Sequence, residues 1–149
     1  GCNLEDTDHG AHGLRDPDQQ AEWLGAVRQA AAADGYPLVI NARVDVFFGP
    51  MLAGAGPESQ PDLVPEALRR AHAYLDAGAD CVYPIGLCDP SALRTFLSEV
   101  GGAVNVVPLP QAPSLPELAQ MGVARVSWGP LLYWEAMARF GEHLASLRE

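Results

Sequence analysis

A chain of 149 residues is the size of one ordinary domain, long enough to bury a sizeable core. Hydrophobic residues make up 48% and charged residues 19%, and the net charge of −10 argues against a nucleic-acid or anionic-membrane surface, since both need clustered Lys and Arg. No apolar run approaches the ~20 residues that cross a bilayer, and the chain is read as carrying no signal peptide.

The first element is a strand, Cys2–Glu5, running straight into a second carboxylate, Asp6. A loop with His9 and His12 follows. Asp16-Pro17 then opens a helix, Pro standing at the first helical position and Gln19 completing a capping-box pattern. The second strand is Leu38–Arg43, followed by Phe48–Asp62, a stretch rich in Gly and Pro without periodicity. A loop of that length is read either as a lid or as a plain insertion. Val64-Pro65-Glu66 starts the next helix, which ends at Gly78, where a left-handed cap is needed. Strands follow at Cys81–Pro84, Val104–Pro108 and Arg125–Trp128, with helices opened by Asp89-Pro90 and by the capping box Ser114–Glu117. The last helix carries Met137, Phe140, Leu144 and Leu147 on one apolar stripe, expected in the core or at a subunit contact. Trp128, Tyr133 and Trp134 are expected as packing residues.

The three cysteines, Cys2, Cys81 and Cys88, show no zinc-type spacing and are read as reduced core thiols of a cytoplasmic protein. The strands are continuous apolar runs, as expected for parallel strands covered on both faces. Alternating strands and helices imply a parallel sheet, either an open doubly wound sheet or a (β/α)8 barrel. No glycine-rich phosphate fingerprint follows any strand, which weakens the dinucleotide-binding version. The abrupt first strand favours an incomplete TIM barrel, about strands 4 to 8, with residues 1–149 as a single domain.

In either architecture reactive groups gather at the carboxyl ends of the strands. Those ends carry Glu5 and Asp6, then Asn41-Ala42-Arg43-Val44-Asp45, then Ser127. Paired carboxylates suit Mg²⁺, which prefers oxygen ligands and keeps several waters; the plainer alternative makes Asp6 a loop cap. Arg43 at a buried strand end is costly unless it meets an anion, and its fork suits a carboxylate or phosphonate. A structural ion pair with Glu5 or Asp45 is the alternative. His9 and His12 are candidates for proton transfer, set against ordinary exposed loop histidines.

Strand-end Asn3-Leu4-Glu5-Asp6, strand-end Asn41–Asp45, the joint Ala77–Pro84 and the segment Gly122–Met137, in that order, resemble the isocitrate lyase / phosphoenolpyruvate mutase family. The resemblance implies a (β/α)8 barrel that binds Mg²⁺ at its carboxyl end, with the first three strands outside these residues. It also implies a lyase or mutase that makes or breaks a C–C or P–C bond beside a carboxylate, through an enolate-like intermediate. By similarity Glu5 contacts the metal through water, and Arg43, with Asn41, holds a small carboxylate or phosphonate substrate. The likeness further implies a homo-oligomer. Departures are specific: the loop Thr7–Arg15 lacks the Cys and Lys of the lyases and the Lys-Asn of the phosphonomutases, Ile85 stands where lyases have Glu, and Glu135 where they have Arg. These departures argue against isocitrate lyase proper and leave a catalytically decayed barrel, serving binding or assembly, as the alternative function.

Overall fold

The structure, a computed structural model, describes residues 1–147. Strand β1 (Cys2–Glu5) is followed by a small hairpin, β2 (Thr7–Asp8) and β3 (Gly13–Leu14). Then come α1 (Pro17–Ala33), β4 (Ile40–Val44), α2 (Phe48–Leu52), α3 (Val64–Asp76) and β5 (Cys81–Pro84). The chain continues through α4 (Pro90–Glu99), β6 (Asn105–Val106), α5 (Leu115–Gln120), β7 (Arg125–Val126) and α6 (Leu131–Ser146).

Local chemistry explains the helix starts. The Asp16 carboxylate accepts from the amides of Asp18 and Gln19, and that of Asp89 from Ser91 and Ala92, satisfying donors that a helix start leaves open. The reciprocal capping box forms at Ser114 and Glu117. At Asp16 the cap is one-sided, and no return bond from Gln19 is seen among the described residues. Gly78 adopts φ +103 after α3, a left-handed conformation that favours glycine, and a Cβ there would come 3.3 Å from Arg28 Cγ, a tight contact. Arg28 uses this approach. From α1 it donates through Nε (3.0 Å) and Nη2 (2.7 Å) to the Gly78 carbonyl, and it also reaches the Leu38 carbonyl and the Asp80 carboxylate.

Strands β1, β4 and β5 form one parallel sheet in that order, and β6 pairs with β7 in parallel. A parallel bridge between Val82 and Val104 joins the two groups. Chain order and spatial order therefore agree, without the reversal that marks a doubly wound sheet.

Strands β4 and β5 are covered on both faces as expected, but the two faces of the sheet differ in chemistry. Ile40, Ala42, Val44, Val82, Val104 and Val106 join the core with Leu24 of α1, Ala67 and Ala71 of α3, and Leu93 and Phe96 of α4. Strand alternation sends the intervening residues to the other face. They are Asn3 and Glu5, Asn41 and Arg43, Cys81 and Tyr83, and Asn105: a polar face inside what reads as apolar runs.

Two segments depart from expectation. The stretch after β4 is a chain of short turns: 3₁₀ turns at Asp45–Phe47, Pro57–Ser59 and Pro61–Leu63, with α2 between. Prolines at the first turn positions set φ without sacrificing a needed donor. Buried Gln60 latches this segment: its Nε2 donates to the Gly86 carbonyl (2.8 Å), and its Oε1 accepts from the amides of Cys88 (2.9 Å) and Asp89 (2.8 Å). The other departure is α6, none of whose residues is buried. Met137, Phe140, Leu144 and Leu147 are exposed, as are Trp128, Tyr133 and Trp134, so the described residues give this stripe no core to join. Cys81 and Cys88 are buried free thiols as expected, whereas Cys2 is only partly buried.

Candidate active site

The carboxyl ends of β1 and β4 lie side by side, with Glu5 in register with Arg43. Glu5 Oε2 pairs with Arg43 Nη2, and Glu5 Oε1 lies 2.5 Å from His9 Nε2. Asp45, the residue directly after β4, takes the guanidinium in a fork: Nε to Oδ1 and Nη2 to Oδ2, each 2.6 Å. The Thr7 hydroxyl donates to the same Asp45 carboxylate, and the Phe48 ring lies 5.3 Å from the guanidinium carbon. Burial pulls the Arg43 guanidinium down, but the Asp45 bonds and the charges of Asp45 and Glu5 outweigh it, and the net shift is upward. Arg43 is therefore cationic at any working pH and rigidly oriented. Its Nη1 has no protein partner among the described residues.

Arg43 and Asp45 open onto a cleft of about 330 Å³. Thr7, His9 and His12 line it from the β2–β3 hairpin, and Leu14, Val46, Phe48, Pro50 and Leu52 supply an apolar wall. The hairpin tip is shaped by the Asp8 carboxylate, which accepts from the amides of Gly10 (2.8 Å) and Ala11 (3.0 Å). His12 sits at φ 57, the left-handed region. Thus Glu5, Arg43, His9 and His12 come together. The ion-pair alternative for Arg43 is realised with both Glu5 and Asp45, while one edge of the guanidinium is left over.

Asp6 and Asn41 lie elsewhere. Asp6 is completely buried; it accepts from Tyr74 (2.7 Å), Arg70 Nη1 (3.1 Å) and the Asp45 amide (2.9 Å). Burial raises its carboxyl above the ordinary value despite those bonds. Its lone pairs are spent on the fold, so Asp6 is not offered to a metal here. Asn41 donates to Asn3 deeper on the polar face, and its own Oδ1 lacks a partner. Sequence reasoning missed Arg70 and Tyr74, which α3 presents on its buried side beside Ala67 and Ala71. An Arg within an apolar stripe was the available signal. Phe48 was also missed, inside a stretch taken as loop.

A family model described as phosphoenolpyruvate phosphomutase matches residues 1–148. The chain belongs to the isocitrate lyase / phosphoenolpyruvate mutase family. Among solved structures of the family, a provisionally assigned phosphonomutase from Burkholderia cenocepacia is 40% identical, with a TM-score of 0.87 over 97% of this chain and 56% of that one. Phosphonopyruvate hydrolase, solved with oxalate and Mg²⁺, is 24% identical with a TM-score of 0.71 over 98% of this chain and 50% of that one, a likeness of fold alone. Two uncharacterized proteins of Mycobacterium tuberculosis (strains CDC 1551 and H37Rv) are 32% identical over 133 residues, covering 89% of this chain and 45% of each. The chain thus spans about half the length of these relatives.

The family implies Mg²⁺, and the residues present do not assemble a site for it. No three His, Cys, Asp or Glu side chains converge among the described residues. Both Glu5 oxygens are engaged, by Arg43 and His9, and Asp6 is enclosed by Arg70 and Tyr74. No helix among the described residues is long and apolar enough to cross a membrane.

Proposed function

We propose that the whole protein is a Mg²⁺-dependent lyase or phosphonomutase-like enzyme. It makes or breaks a C–C or P–C bond of a small 2-oxo, hydroxy or phosphono acid through an enolate-like intermediate. The observation that carries this reading is Arg43: a guanidinium fixed by Asp45 and Glu5 at the strand ends, with one edge left for a ligand and a cleft in front of it. A fixed cation meets an anion without reorganising, which is where such sites gain their advantage. In this reading Arg43 holds the substrate carboxylate, and His9 or His12, across the cleft, carries the proton. Asn41, below Arg43 on the polar face and outside the cleft lining, is the further substrate-binding candidate of this reading. Mg²⁺ serves the whole protein, with Glu5 contacting it through water and its inner ligands outside these residues.

The same reading makes residues 1–149 one domain, the C-terminal portion of a (β/α)8 barrel, about strands 4 to 8. Sequential strand order and the relatives' greater length support it. The polar sheet face is then barrel interior. The protein is a cytoplasmic homo-oligomer, supported by its free thiols and by the exposed apolar stripe of α6.

A decayed barrel is the second reading, and the hairpin favours it, since Thr7–Arg15 holds neither Cys nor Lys. The full-length protein, screened with Mg²⁺ for retro-aldol cleavage, oxaloacetate decarboxylation and phosphonopyruvate turnover, separates the two. The enzyme reading predicts turnover of at least one substrate, abolished by a chelator. Silence on all three supports the second reading.

A further inference from the structure

Three consecutive residues at the end of β1 converge on the Arg43–Asp45 pair. Glu5 meets the guanidinium directly. Asp6 takes the Asp45 amide through Oδ1 (2.9 Å), and the Thr7 hydroxyl donates to Asp45 Oδ2. Asp45 is thus held twice, its backbone by Asp6 and its carboxylate by Thr7. Strand alternation explains the split: Asp6 faces Arg70 and Tyr74 of α3, whereas Thr7, like Glu5, reaches the strand-end pair.

A forked Arg–carboxylate pair is rigid within itself but can swing as a unit about the two side chains that carry it. Glu5 restrains that swing from a side chain that is 33% exposed and shared with His9. Thr7 restrains it from firmer ground. Its backbone is paired with Leu14 across the hairpin, and the Asp45 side chain it holds is 1% exposed, where bulk solvent does not replace a lost donor.

Resting on the functional reading above, we propose that Thr7 is a positioning residue for Arg43, acting through Asp45 and setting the angle at which the free guanidinium edge meets its anion. Without the hydroxyl, Asp45 Oδ2 keeps Arg43 Nη2 as its one donor among the described residues, and the fork loses its tie to the hairpin.

The full-length protein with Mg²⁺ tests this through Thr7→Val, which keeps the shape without the hydroxyl, and Thr7→Ser, which keeps the hydroxyl. Two quantities are measured: oxalate affinity by calorimetry, and hydrogen exchange of the Arg43 Nε–H by NMR, its signal assigned by its loss in Arg43→Gln. Thr7→Val is expected to weaken oxalate about three- to tenfold, less than loss of a direct charge-assisted contact, and to speed the exchange by a similar factor. Thr7→Ser restores both, and Thr7→Ala replaces the valine variant if that one does not fold. Val100→Ala, a buried position directly after α4 and outside the cleft lining, lowers the melting temperature and leaves both quantities unchanged. Wild-type values in Thr7→Val, equal losses in Thr7→Val and Thr7→Ser, or a change in one quantity without the other overturn the proposal. Oxalate binding that needs Arg43 while the Thr7 series stays flat leaves the functional reading standing. If the wild type ignores oxalate, that reading fails, and the exchange series alone decides whether Thr7 orients Arg43.

Discussion

Replacing Arg70 by Met isolates what the buried Asp6 cluster contributes. Arg70 is 6% exposed; its Nη1 donates to Asp6 (3.1 Å), the Arg15 carbonyl (2.9 Å) and Tyr74 (3.3 Å), while Nε donates to Glu66 (2.7 Å). Methionine keeps the stem's volume and removes the charge. Asp6 retains Tyr74 and the Asp45 amide, two of its three donors, but loses its counter-charge in a site without water access. Removing one partner of a buried pair costs about 3–5 kcal/mol, and the surviving donors place this case near the lower end, about 3 kcal/mol at pH 7–8. The pH dependence has a definite sign. Burial raises the Asp6 carboxyl in the fold, and loss of Arg70 raises it further. A raised folded value means that the protonated form is favoured in the fold, so stability is fully present below the unfolded value and is lost as pH rises through the folded one. The deficit of Arg70→Met therefore shrinks on acidification. Urea unfolding of both proteins at pH 8 and pH 5 measures it. A deficit under about 1 kcal/mol at pH 8, or one that grows at pH 5, would refute the reasoning.

Gln60→Ala removes a latch that satisfies two backbone amides, and about 2–4 kcal/mol is lost, with faster hydrogen exchange at Cys88 and Asp89. Unchanged exchange at those amides would show that the segment after β4 is held by other means. Burial pushes the Cys81 and Cys88 thiols up. Both should resist a thiol reagent at pH 8 until denaturant is added, and rapid native labelling of either would contradict their placement.

Strands and helix starts were largely legible because their signals are local. Ile40, Val82 and Val106 mark strands by type, Asp16 and Asp89 mark starts by capping, and Gly78 marks an end as the residue fit for a left-handed cap. The face of each strand was harder. Asn41 and Arg43 alternate with Ile40, Ala42 and Val44, and the run is buried on both sides as read, but its density of apolar residues hides which side is polar. The hairpin β2–β3 has two-residue strands, too short for periodicity to register. Strand-end position was enough to bring Glu5 and Arg43 side by side. The role of Asp6 was not accessible, because it depends on Arg70 and Tyr74, 64 and 68 residues away. The α6 stripe shows the limit of amphipathicity: a repeat of three and four says that a face seeks cover, not what supplies it.

The central claim is that Arg43 is the anion clamp of this cleft. Titration of oxalate into the full-length protein with Mg²⁺ present, wild type against Arg43→Ala and Arg43→Gln, tests it most directly. Loss of a charge-assisted contact worth about 1.5–3 kcal/mol predicts affinity about 10- to 150-fold weaker in both variants. Oxalate bound with unchanged affinity by variants that keep the wild-type circular dichroism and melting profile would contradict the account.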